Sequence, residues 1–237
     1  MTVAERIQPT ATPARLGDDV PRMTFEEFLE WVNEDTRAEW VDGKVEIQVT
    51  ATDPHQEAAQ FFAGIIKDWD AWHNIGGAAR MGPYPMLLSP KKERGRTKSG
   101  AGREPDVLYL LPQSLERKQR QFVNGPADIA IEVISPESRR RDRDVKFFEY
   151  ERAGVREYWM HDPDTSDAEF FRLDETGKYR RVPLENETIF RSDVLPGFWM
   201  DLAWLAVRPL PGSPVYLRAW GLIPTPPMGT VPEPPTA

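Results

Sequence analysis

Two apolar runs each carry one carboxylate where a core strand would hold another Val or Ile. The first is Arg103-Glu104-Pro105-Asp106-Val107-Leu108-Tyr109-Leu110; the second is Asp128-Ile129-Ala130-Ile131-Glu132-Val133-Ile134-Ser135. An unpaired carboxylate is expensive to bury, so Asp106 and Glu132 call for a cation, a hydrogen-bond donor or a metal. The runs predict strands over 106–111 and 128–135. In the second, Asp128, Ala130, Glu132 and Ile134 share one face, and Ile129, Ile131 and Val133 share the face that packs on a helix. An antiparallel pairing would set Asp106 and Glu132 on one side near one end. Two carboxylates at close range repel unless a cation sits between them, and Mg²⁺ takes one or two carboxylates plus water and phosphate. Taken singly, Asp106 also reads as a cap after Pro105, and Glu132 as a residue on a solvated sheet face.

A third residue joins them. Helix 142–153, closed by Gly154, carries a stripe of Lys146, Phe147, Tyr150 and Ala153. A lysine in a core-facing stripe needs negative partners, and the two carboxylates supply them. The alternative is an exposed pair with Asp142, four residues earlier. Carboxylates, a divalent metal and a lysine in one cleft suit hydrolysis of a phosphodiester. The metal would lower the pKa of the attacking water, and the lysine would orient that water or stabilise the transition state.

The remaining elements are readable from local signals. Residues 1–21 form a leader without periodicity. Thr24-Phe25-Glu26-Glu27 is a capping box opening a helix to about Asn33, with Met23 and Phe28 as its staple. Glu39 to Val49 reads as a hairpin turning at Asp42-Gly43. Asp53-Pro54 opens the strongest helix, with Ala58, Phe62, Ile65, Trp69 and Trp72 on one face and Gly76-Gly77 at its end. Residues 78–88, with Pro83 and Pro85, read as an edge strand. Lys91–Glu104, with six basic residues and three glycines, reads as a mobile basic loop. Three more strands centre on Tyr158-Trp159-Met160, Phe170–Leu173 and Tyr179–Val182. A short helix follows near Asp201–Val207. From Pro209 onward there are nine prolines in 29 residues, which predicts an extended or disordered tail over 208–237.

The net charge is −8, which by itself disfavours a polyanionic partner. It is unevenly spread: residues 91–156 hold 16 basic and 11 acidic side chains, a net of +5. The basic loop and Arg139-Arg140-Arg141 are therefore candidate phosphate contacts, although charge runs are more often plain solvated loops. With no cysteine, disulfides and thiolate zinc sites are excluded. His55, His73 and His161 lack metal-ligand spacing. No run reaches the length of a membrane span, and the polar N-terminus lacks the apolar core of a signal peptide, so the expected location is cytoplasmic.

The order Pro-Asp, Glu, then a basic residue resembles the PD-(D/E)XK nuclease superfamily. More closely, the chain resembles the Uma-two family of restriction-endonuclease-like proteins. The resemblance rests on Glu39-Trp40-Val41-Asp42-Gly43-Lys44-Val45, Pro54-His55-Gln56, Glu104-Pro105-Asp106-Val107 and Ile131-Glu132-Val133-Ile134-Ser135-Pro136. It continues through Arg143-Asp144-Val145-Lys146-Phe147-Phe148-Glu149-Tyr150, Gly154-Val155-Arg156-Glu157-Tyr158-Trp159 and Leu195-Pro196-Gly197-Phe198, within roughly residues 22–207.

It implies an α/β restriction-endonuclease-like fold, with a central mixed sheet flanked by helices. It also implies a Mg²⁺- or Mn²⁺-dependent endonuclease acting on DNA, often as a homodimer. It carries the acidic metal ligands onto Glu39, Asp106 and Glu132. The superfamily's usual lysine position, two residues after the glutamate, is Ile134 here, and the lysine has moved to Lys146 on the next helix. Asp106, Glu132 and Lys146 would be the catalytic set. His55 reads either as a packing or capping residue or as a group behind the metal, and Tyr150 as packing or as a hydrogen bond into the site. Arg103 reads as a phosphate contact or a partner of Glu104. The rival reading keeps the fold without efficient cleavage, as a module that binds nucleic acid or a protein.

Overall fold

The computed structural model describes residues 22–32, 37–48, 51–136 and 138–225. The expected leader (1–21), Asn33, Val49 and the end of the tail (226–237) lie outside the described residues.

The capping box forms as read: Thr24 Oγ1 accepts from the Glu27 N–H, Glu27 accepts from the Thr24 N–H, and helix α1 (Phe25–Trp31) follows. Strands β1 (Ala38–Val41) and β2 (Lys44–Ile47) make the hairpin, with Asp42 and Gly43 both at positive φ, as a type I′ turn demands. Helix α2 (Asp53–His73) has Thr52 at its N-cap position, without a side-chain cap hydrogen bond, and Asp53 in its first turn, and it ends at a left-handed Asn74 before the two glycines are reached. Residues 78–88 divide between two sheets. Strand β3 (Ala78–Met81) is an edge strand, and β4 begins at Met86.

The expected basic loop is instead a hairpin of β4 (Met86–Glu93) and β5 (Arg96–Arg103). Few of its residues favour strands, and its order comes from tertiary partners. β5 pairs on both sides, with β4 and β1, and the Thr97 N–H and hydroxyl both donate to Glu26 of α1. The sheet order is β2-β1-β5-β4.

The second sheet is larger. It contains β3, β6 (Val107–Leu110), β7 (Ile129–Val133), β8 (Glu157–Asp162), β9 (Asp167–Leu173) and β10 (Tyr179–Arg181), in the order β10-β9-β8-β7-β6-β3. Among these described strands only β7 and β8 run parallel, and such a pair needs a crossover. The crossover is a π-helical turn, Arg141–Lys146, running into helix α3 (Phe147–Ala153), which Gly154 closes at φ 89°. Strands β11 (Ile189–Arg191) and β12 (Trp199–Asp201) form a small separate ribbon.

Alternation along β7 decides the layers. Ile129, Ile131 and Val133 pack on one face with Phe62, Ile65 and Trp69 of α2. Ala130 and Ile134 pack on the other with Leu108, Tyr150 and Tyr158. Glu132 lies between Ala130 and Ile134 on that second face, the one covered by α3. A third cluster seats α1 on the smaller sheet through Phe25, Phe28 and Trp40.

The stretch from Pro209 departs from the expected tail. Ser213–Ala219 form helix α4, whose Tyr216 is buried and donates to Asp68 of α2. Proline composition signals poor helix formation in general, but Pro214 stands in the first turn, where it is tolerated. No described helix is long and apolar enough to cross a membrane.

Candidate active site

β6 and β7 pair antiparallel with Val107 opposite Ile131, so Asp106 and Glu132 meet at one end of the pair. β1 of the smaller sheet delivers Glu39, and the crossover delivers Lys146. Asp106, Glu132, Glu39, His55 and Lys146 line one cleft.

Lys146 is buried, and its Nζ lies 2.8 Å from Glu132 Oε1, 3.0 Å from Glu39 Oε1 and 3.6 Å from Asp142 Oδ1. Asp142 thus pairs with Lys146 as the four-residue spacing allows, but inside the site rather than on an exposed face. Burial opposes the ammonium charge, yet the Glu132, Glu39 and Asp142 carboxylates outweigh it and hold the pKa above the ordinary lysine value. Lys146 is therefore a permanent donor and cannot accept a proton from water.

Glu132 Oε1 also accepts from the Tyr150 hydroxyl at 2.7 Å. Both bonds fall on Oε1, which leaves Oε2 for a ligand. Burial pushes the Glu132 carboxyl well up, against the pull of Lys146. Lys146 faces three carboxylates while Glu132 faces one lysine, so the shared proton stays on Lys146. The Tyr150 phenol, pushed up by burial and by Glu132, also stays protonated.

Asp106 Oδ1 is 2.8 Å from His55 Nε2, and its Oδ2 accepts from the Val133 N–H at 2.8 Å. A carboxylate only accepts, so His55 carries its proton on Nε2. Burial would raise the Asp106 pKa, but the His55 bond and the Val133 N–H reverse this and keep it ionised. His55 is thus a partner of a site carboxylate and not merely a packing residue.

Glu39 and Arg103 behave differently from the sequence expectation. Arg103 donates to Glu39 (2.8 Å), Glu46 (2.9 Å) and Glu149 (2.6 and 3.1 Å), and is buried. Its partner is Glu39, on the strand that pairs with β5, rather than Glu104, and with four of its five N–H donors on carboxylates and the side chain buried it is poorly placed to meet a phosphate. Glu39 accepts from Arg103 on Oε2 and from the Glu104 N–H and Lys146 on Oε1. Burial raises its pKa, but Lys146 and Arg103 bring it to about 2. Glu39 reaches the site as the anchor of Lys146, with both oxygens engaged.

Among the described residues, no group of three His, Asp or Glu side chains has the geometry of a metal site. The donor chemistry still fits a hard cation that keeps several waters: Asp106 and Glu132 face one cleft, and Glu104 Oε1 is buried there without a partner.

A family model described as "putative restriction endonuclease", Uma2, matches residues 25–206. The chain belongs to the Uma2 family. The Uma2 match covers all the site residues above. No curated protein matches. Among solved structures, a "putative nuclease belonging to DUF820" from Anabaena variabilis is similar, at a TM-score of 0.61 and 14% identity, over 77% of this chain and 97% of that one. At that identity the likeness establishes the nuclease fold alone.

Sequence reasoning missed four residues of the cleft: Arg37, Glu104, Arg141 as distinct from its neighbours, and Asp142 as a site residue. Glu104, two residues before Asp106, repeats the strand period that puts both on one face, and that signal was available. Arg37, whose Nη2 donates to Asp106 Oδ1 at 3.5 Å, carried none, because nothing local in the sequence ties the two together.

Proposed function

We propose that this Uma2 protein is a Mg²⁺-dependent endonuclease that hydrolyses DNA phosphodiester bonds, with Mn²⁺ able to substitute. The observation that carries the reading is Lys146 Nζ at 2.8 Å from Glu132, delivered by a different element into a cleft shared with Asp106. A permanently charged donor beside two carboxylates suits a reaction that builds negative charge at phosphorus.

On this reading Asp106 and Glu132 would hold the ion, Asp106 through a remaining lone pair of the oxygen that accepts only the Val133 N–H, and Glu132 through Oε2. Mg²⁺ would lower the pKa of the attacking water and neutralise phosphate charge when bound. Lys146 orients the water or donates to the phosphate oxygens, and Glu39 keeps Lys146 in place. His55 fixes the Asp106 carboxylate, and Tyr150 fixes Glu132. The homodimer implied by the resemblance belongs to the same proposal, and light scattering of the full chain tests it.

A second reading has its own support. Each Glu39 oxygen is held by a buried cationic side chain, Arg103 on Oε2 and Lys146 on Oε1, which removes the third ligand expected for the metal. This favours a weakly active module that binds nucleic acid or a protein. Cleavage of supercoiled and single-stranded DNA with Mg²⁺ or Mn²⁺ separates the two. The nuclease reading expects metal-dependent cleavage that is lost in Glu132→Ala and Lys146→Ala, with circular dichroism unchanged. No cleavage by the wild type with either metal, or cleavage indifferent to both substitutions, would overturn it.

A further inference from the structure

Six buried side-chain polar atoms lack a hydrogen-bond partner among the described residues, and four of them belong to residues lining this one cleft. Two are donors, Nε of Arg37 and of Arg141, and two are acceptors, Glu104 Oε1 and Asp142 Oδ1. Unpartnered buried polar groups are rare in folded proteins and costly, so their gathering in one place points to a ligand.

The four atoms belong to two loose ion pairs, and each pair has a further tie into the site: Arg37 Nη2 donates to Asp106 Oδ1 at 3.5 Å, and Asp142 Oδ1 lies 3.6 Å from Lys146 Nζ. Arg37 Nη2 stands 3.8 Å from Glu104 Oε1, and Arg141 Nε stands 3.9 Å from Asp142 Oδ1, both beyond hydrogen-bond range. The carboxylates are deep, at 5% and 2% side-chain exposure, while the arginines reach solvent at 34% and 30%. Arg103 makes the contrast clear: it also touches a site carboxylate, but four of its five N–H donors are engaged and it is 2% exposed. The cleft floor is strongly acidic, with Glu39, Glu104, Asp106, Glu132 and Asp142, and would repel an anion that met it unaided.

We propose that Arg37 and Arg141 form a phosphate clamp at the mouth of this cleft. The proposal rests on the nuclease reading and deepens it by naming the groups that seat the substrate's phosphate. Guanidinium groups match phosphate oxygens bidentately. Glu104 and Asp106 hold Arg37, and Asp142 holds Arg141, near the mouth without saturating them, and a phosphate would take their remaining N–H donors, while the Glu104 and Asp142 oxygens stay facing the arginines. Arg37 comes from the segment leading into β1 and Arg141 from the crossover, so the clamp closes only where the two sheets meet.

The test is salt dependence of binding. The full chain is titrated onto a fluorescent DNA duplex by anisotropy, at a fixed low Ca²⁺ concentration, with intact DNA verified on a gel and KCl varied. Arg37→Ala and Arg141→Ala should each reduce the slope of log K against log salt by about 1, and weaken binding about eightfold at 0.1 M salt. Arg180→Ala removes the same charge at a 71% exposed site on the far edge strand and should leave the slope unchanged. If Arg37→Ala fails to fold, Arg37→Gln with Glu104→Gln removes both members of the pair and takes its place. Wild-type slopes in both arginine variants would overturn the clamp alone. A wild type that does not bind DNA would overturn the nuclease reading and the clamp together.

Discussion

Lys146→Met isolates the central electrostatic feature of the site. The substitution keeps most of the side-chain volume and removes the charge. Of the three carboxylates around Nζ, Glu39 keeps Arg103 at 2.8 Å and Asp142 keeps the loose attraction of Arg141. Glu132 keeps only the Tyr150 hydroxyl. A buried charge stranded in this way costs about 3–5 kcal/mol. In urea, at about 3 kcal/mol/M for a domain of this size, the midpoint should fall by about 1–2 M with the slope unchanged.

Two further results must accompany it. Glu132→Gln in the Lys146→Met background should restore part of the loss, because the stranded charge is gone, with a coupling of about 0.5–3 kcal/mol in the double-mutant cycle. The deficit should also shrink on acidification. Without Lys146 the Glu132 pKa, already raised by burial, rises further. A carboxyl whose folded pKa is raised stabilises the fold below its unfolded value near 4.5, and that contribution is lost as the pH climbs through the folded pKa. Lys146→Met as stable as wild type, or a deficit that grows as the pH falls, would refute the reasoning.

Tyr216→Ala should destabilise the protein by about 3 kcal/mol in the same urea assay, because it empties a buried aromatic site against α2 and strands Asp68; a truly unstructured tail would give no change. His161 is buried, with its pKa lowered from the ordinary 6.5 chiefly by burial, so it is neutral in the fold. Its contribution is full above pH 6.5 and is lost as the pH falls through the folded value, and His161→Gln should flatten the loss of stability measured below that pH.

Legibility in the sequence followed the range of the forces involved. The capping box at Thr24, the Asp42-Gly43 turn and the α2 stripe from Ala58 to Trp69 are set within a few residues, and they formed where local chemistry predicts; Trp72, expected to continue that stripe, is instead exposed, one turn beyond the last core contact of α2. The meeting of Asp106, Glu132 and Lys146 was also visible, since a charge within an apolar stripe must find its counter-charge inside the fold. The β4–β5 hairpin was not, because its residues favour a loop and partners distant in sequence, Glu26, Asp42 and β1 among them, give it order. Arg103 misled for a related reason. A basic residue beside an acidic site suggests a ligand contact, whereas its three carboxylate partners come from β1, β2 and α3 and appear only when the sheets are assembled. α4 was hidden by the prolines around it, with one buried tyrosine supplying the tertiary hold.

The π-helical turn at 141–146 bears on how changes in chain length should be tolerated. A straight α-helix advances about 100° per residue, so Asp142 would drift about 80° from Tyr150 over eight positions. The wider turn absorbs most of that drift and stacks Asp142, Lys146 and Tyr150 toward the same carboxylates. Deleting a single residue within this turn would keep every functional side chain yet turn Asp142 and Arg141 away from the cleft. A relative that preserves all these residues but is one position shorter there would look intact in an alignment and be broken in space.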